Sequence, residues 1–98
     1  MPIGTSTLDL NDCNILGRYY CGSTVDCANI SNTPFTTGNE KIFNLIIEKL
    51  TNDILRQTIR VYNSNEKYIR DAVIETNITN TFIQQEDISS FSPDEVYY

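Results

Sequence analysis

The stretch 37-TGNEKIFNLIIEKLTNDILRQTIRVY-62 decides how the chain is read, because it is the only long segment whose apolar residues keep a helical period. With Ile42 at zero and about 100° per residue, Phe43, Ile46, Ile47, Leu50 and Ile54 fall between about 40° and 140°, while Glu48, Lys49, Asn52, Asp53 and Arg56 fall outside that arc. That pattern predicts an amphipathic helix with one buried stripe. Its start is written locally: Thr37 followed by Glu40 fits a capping box, in which hydroxyl and carboxylate each accept from an otherwise unpaired backbone N–H. From Glu40 to Leu55 such a helix would be roughly 24 Å long.

Beyond Leu55 the apolar residues leave the stripe, and Gln57 intrudes on it. Two readings compete. If the helix runs on to Tyr62, then Leu55, Ile59 and Tyr62 form a second apolar face, available to a partner. Alternatively residues 58–62, β-branched and aromatic in alternation, are a short strand with Asn63 to Glu66 as its turn. The helix is the reading adopted.

Asn63 and Glu66 repeat the helix-start signal, and Ile69, Ala72, Val73 and Thr76 then share one helical face until residues 77–81 end the pattern. The expected fold class is therefore mainly α: a long helix and a shorter one as a hairpin over 37–78. An extended N-terminal arm (1–36) and an acidic C-terminal tail (79–98) flank it; the alternative is α+β with a short strand at 58–62.

With 98 residues the chain holds one domain at most, with a thin stability margin. Thirteen Ile, eleven Asn and eleven Thr supply a small core and many turn-formers, which is not a disordered composition. The net charge of −6 is uneven: −2 over residues 1–39, +2 over 40–70 and −6 over 71–98. No basic patch of the size that nucleic acid requires is present, so direct nucleic-acid binding is not expected. The opening residues lack a signal-peptide pattern and no apolar run reaches membrane-spanning length. The expectation is cytoplasmic synthesis, no membrane association, and a place in a virion.

Cys13, Cys21 and Cys27 match no zinc spacing, and the chain has no His. They read as buried or incidental thiols; a disulfide would require an oxidising setting and leave one thiol over. The bracket Gly17-Arg18-Tyr19-Tyr20-Cys21-Gly22 reads as a bent strand or turn with one Tyr inward and the other outward. No P-loop, dinucleotide fingerprint, nucleophile elbow or Glu-x-x-His occurs, and neither a catalytic residue, a cofactor nor a metal is expected.

The aromatics of the C-terminal region, Phe82, Phe91, Tyr97 and Tyr98, stand apart among polar and acidic residues like anchors that dock singly. Together with Leu55, Ile59 and Tyr62 they are the expected interface residues. The function that follows is a small non-enzymatic structural subunit of a multi-subunit assembly, such as a virus or phage particle, binding other protein subunits as a homo- or hetero-oligomer. The competing class is a soluble acidic inhibitor or adaptor that occupies a basic groove of a partner protein.

Overall fold

The computed structural model describes residues 1–36, 38–73 and 81–85. Strand accounts for about 45% of them and no helix reaches seven residues, which overturns the mainly α expectation. The centre is a five-stranded antiparallel sheet of β2 (Gly17–Cys21), β4 (Phe43–Lys49), β5 (Ile54–Val61), β6 (Lys67–Val73) and β7 (Ile83–Gln85), in that spatial order. A two-stranded parallel pair, β1 (Leu8–Asp9) with β3 (Ile30–Ser31), stands apart from it.

The expected long helix is thus a hairpin, β4–β5. Its core set is Phe43, Leu45 and Ile47 from one strand and Leu55, Gln57, Ile59 and Val61 from the other, all buried and spaced by two. Leu45, fully buried, lies outside the helical arc, whereas it belongs with its neighbours once the period is two. Between the strands Thr51 makes the break: its Oγ1 accepts from the backbone N–H of Asp53 and of Ile54, both at 3.1 Å, closing a tight turn where the helix would have continued. At the far end Glu40 accepts from Gly38 N–H at 2.9 Å rather than closing a capping box; Thr37 lies outside the described residues.

The expected second helix is likewise replaced over its first half by β6. Asn63 takes a positive φ of 58°, Ser64 Oγ accepts from Glu66 N–H, and Val61 N–H donates to Glu66 O, so the supposed helix start is the turn of a hairpin. The alternative strand at 58–62 lies mostly within β5. The C-terminal half of the expected helix, from residue 74 on, lies outside the described residues.

Residues 1–36 fold onto one face of the sheet and also contribute β2 to it. A 3-10 turn (Leu10–Asp12) and a four-residue helix α1 (Thr24–Cys27) carry Leu10 and Cys27 into the core, joined by Ile30 of β3. Asp9 caps the 3-10 turn through Asn11 N–H, and Ser23 caps α1 through Asp26 N–H. Burial of each large core side chain contributes about 1.5–3 kcal/mol. Cys21 and Cys27 are joined in a disulfide that staples α1 to β2, which corrects the expectation of free thiols; Cys13 remains a free thiol.

Candidate functional site

Strand alternation gives the sheet two faces of different chemistry. Every sheet residue in the core cluster, from Cys21 through Phe43, Leu45, Ile47, Leu55 and Ile59 to Ala72, projects to the face that residues 1–36 cover. The covered face also holds a buried polar cluster. Gln57, 0% exposed, donates from Nε2 to the carbonyls of Leu10 (2.9 Å) and Cys13 (2.7 Å), and its Oε1 accepts from Arg70 Nε at 2.7 Å. Arg70 also donates to Asn11 Oδ1 at 2.9 Å and lies over the Phe82 ring at 4.3 Å. Burial pushes its pKa down to about 10. These bonds clamp the 3-10 turn to the sheet, a structural task.

Cys13 lines an apolar cleft of about 220 Å³ with Ile3, Leu8, Tyr19, Leu45 and Ile47. Burial, and then the carboxylates of Asp12 and Asp9, push its thiol pKa up, so it stays protonated and is a poor nucleophile. Among the described residues no three His, Cys, Asp or Glu side chains gather where a metal would bind.

The opposite face is the candidate site. The register sets its side chains in rows across the strands. The middle row runs Arg18, Ile46, Thr58, Ile69, Ile83, one residue from each strand. On one side lies a basic row with Tyr20, Asn44, Arg60 and Lys67, followed by Tyr62; on the other lie Glu48, Arg56 and Asp71, followed by Ile54 and Val73. Tyr20, Tyr62, Val73 and Ile83 are 46%, 67%, 49% and 64% exposed. In the middle row Ile46 and Ile69 are half-buried and Thr58 is buried, so the exposed apolar surface is that of Ile83 with the flanking Tyr20, Tyr62 and Val73, set among charged side chains. A shallow depression of about 420 Å³ opens at its β2 end, lined by Arg18, Tyr20, Asn44, Ile46 and Arg60.

Charges on this face are partly paired. Arg56 grips Asp71 with two bonds, Nε to Oδ1 at 2.8 Å and a second at 3.2 Å; the bond to Asp71 raises the guanidinium pKa further. Both side chains are more than a third exposed, so the pair contributes at most about 1 kcal/mol. The outer edge of β2 is occupied at Tyr20, whose N–H donates to Met1 O and whose carbonyl accepts from Ile3 N–H. That pairing covers part of an otherwise open sheet edge.

The seven residues expected at an interface scatter. Leu55 and Ile59, 1% and 0% exposed, are core residues of the covered face, because the period there is two and not 3.6. Phe82 also lies on the covered side, beneath Arg70. Tyr62 extends the open face and is well exposed, while Phe91, Tyr97 and Tyr98 lie outside the described residues. The residues that sequence reasoning missed are Ile46, Ile69 and Ile83 with their charged flanks, and Gln57 and Arg70 inside. Alternation within 43–49 was the available signal for the first group.

No family model matches the chain, and no curated protein matches its sequence. Among solved structures the fold resembles part of an N-truncated R2-type pyocin tail fiber, with a TM-score of 0.67 at 15% identity. The match covers 99% of this chain and 36% of the tail-fiber chain, so the present fold spans about a third of that protein's length. Among the described residues no helix is long and apolar enough to cross a membrane.

Proposed function

We propose that the chain is a structural, non-enzymatic module of a multi-subunit particle of virus or phage type, held in place by contacts to other protein subunits. The observation that carries this reading is the two-faced sheet: one side is sealed by residues 1–36, and the other presents exposed Tyr20, Tyr62, Val73 and Ile83 among charged side chains. The likeness of the fold to a portion of a pyocin tail fiber supports it.

The test is fractionation. In a density gradient of lysate from the source of the chain, antibody against it should find it in fast-sedimenting particles at a fixed ratio to other components. Recovery solely at the top of the gradient, with the free proteins, would overturn the proposal.

A further inference from the structure

Three basic side chains have partners within the fold: Lys41 is bound to Glu66, Arg56 to Asp71, and Arg70 to Gln57 and Asn11. Arg18, Arg60 and Lys67 differ. They share the open face, and among the described residues no carboxylate lies within ion-pair distance of any of them. With Arg56 and Asp71 cancelling, these three cations stand against Glu48 alone and leave the face at +2. Glu48 lies across the middle row from Arg60 and Lys67.

Arg18 and Arg60 both line the depression of about 420 Å³, together with Tyr20, Asn44 and Ile46, and no carboxylate of the described residues lines it. Strand spacing and rise set the two arginine Cα atoms roughly 12 Å apart, diagonally across β4, with Lys67 about 5 Å beyond Arg60 in the same row. Two guanidiniums so placed suit two anionic groups better than one. Along an extended peptide, side chains on one side recur roughly every 7 Å, so carboxylates two or four residues apart span the gap once side-chain reach is included. Each guanidinium can hold a carboxylate with two parallel bonds, and the Asn44 amide both donates and accepts, as a peptide group requires. The Tyr20 ring, well exposed, offers apolar contact to a residue between the acids.

We propose that this depression is the docking site for an acidic segment of another protein subunit, held extended with its alternate carboxylates on Arg18 and Arg60 and with Lys67 lengthening the contact. The proposal rests on the assembly reading above and states the chemistry of the partner. Exposed ion pairs contribute little each, so one short segment binds weakly and more weakly still in salt.

The experiment is a titration of the isotope-labelled full chain, followed by amide NMR shifts, with the peptide acetyl-Gly-Glu-Tyr-Glu-Tyr-Glu-Gly-amide. Its twin with Gln in place of Glu, and inorganic phosphate, are titrated in parallel. The expected result is saturable shifts concentrated at residues 18–20, 44–46 and 60, binding at least about fivefold weaker at about 300 mM salt than at about 50 mM, and no comparable binding of the Gln twin. Arg18→Gln and Arg60→Gln each weaken binding at least about threefold and together at least about tenfold, whereas Lys49→Gln, which removes a charge outside the depression, leaves it unchanged. All three side chains are exposed, so the variants' spectra away from the substituted positions should match the wild type.

Absence of binding, equal binding of the Gln twin, shifts centred elsewhere, an unchanged affinity in the double variant, or phosphate binding these residues more tightly than the peptide would each overturn the proposal. A chain found in particles that ignores the peptide defeats this site alone, whereas a chain that binds the peptide but sediments with the free proteins defeats the assembly reading alone.

Discussion

Arg70 Nε donates to Gln57 Oε1 over 2.7 Å, between directly opposed positions of β6 and β5, and neither residue is more than 5% exposed. The contact joins a buried cation to an amide whose other end is spent on the carbonyls of Leu10 and Cys13. Through it the N-terminal segment is hydrogen-bonded to the middle of the sheet, beyond being packed on it.

Gln57→Ala should therefore cost about 2–4 kcal/mol in urea unfolding, since it removes three buried hydrogen bonds and the amide acceptor of a buried guanidinium. Asn11→Ala, which removes one acceptor at a less buried position, should cost about 1 kcal/mol. Equal effects would show that the amide bridge is not the centre of the cluster.

Alkaline pH should expose Tyr68. Its hydroxyl donates to Glu66 Oε1 at 2.8 Å, and partial burial, then that bond and the carboxylate's charge, push its pKa up to about 12 from an ordinary 10. A folded-state pKa raised above the unfolded one contributes stability fully present below about pH 10 and lost as pH rises to about 12. Arg70, pushed down by burial, acts in the opposite direction over the same range. Tyr68→Phe isolates the tyrosine: urea midpoints from about pH 9 to 12 should fall less steeply in the variant than in the wild type. Parallel curves would contradict the assignment.

Reduction should loosen the covering layer. The Cys21–Cys27 bond closes a loop with a sequence separation of 6, for which loop-closure entropy gives about 2 kcal/mol. Cys21→Ser with Cys27→Ser should lower the unfolding free energy by about that amount and abolish its dependence on dithiothreitol. Cys13→Ser should leave the dependence intact.

Gly4 adopts φ +90°, and a Cβ there would lie 2.5 Å from the carbonyl oxygen of Asp26, which is fixed backbone. Gly4→Ala is expected to cost about 2 kcal/mol or more and to detach the Asn29 side chain, which donates to Gly4 O at 2.8 Å. Thermal melting of this variant beside Gly38→Ala is informative. Gly38 shares the positive φ but has open space around it, so it should lose less.

Parts of the fold were legible in the residues. The Gly17–Gly22 bracket marks a strand, with Tyr19 turned to the core and Tyr20 outward. Breaks at Asn52–Asp53 and at Asn63–Glu66 are visible too, although a helical period sets the first outside the apolar arc and makes the second a helix start. The central stretch misleads for a geometric reason. Ile42, Ile46, Leu50 and Ile54 recur every four residues, and positions four apart share a side in a strand as well as in a helix. Leu45 breaks the tie, because it fits the alternation and not the helical arc. The candidate site is illegible under a helical period, because a period of two turns Leu55 and Ile59 inward and sets Ile46 on the opposite face, half-buried.

By itself the sequence determined the quantity of apolar side chain, the turn-forming breaks, and the segregation of charge, with basic residues in the middle of the chain and acids beyond it. Those are properties of residues one at a time or of near neighbours. Tertiary structure alone decided that the central segment is extended, because a strand is stabilised by partners distant in sequence, and here β4 finds β2 on one side and β5 on the other. It also brought Cys21 to Cys27, placed Gln57 beneath the carbonyls of Leu10 and Cys13, and sorted the isoleucines between a sealed face and an open one. Such pairings depend on register, which no local spacing encodes.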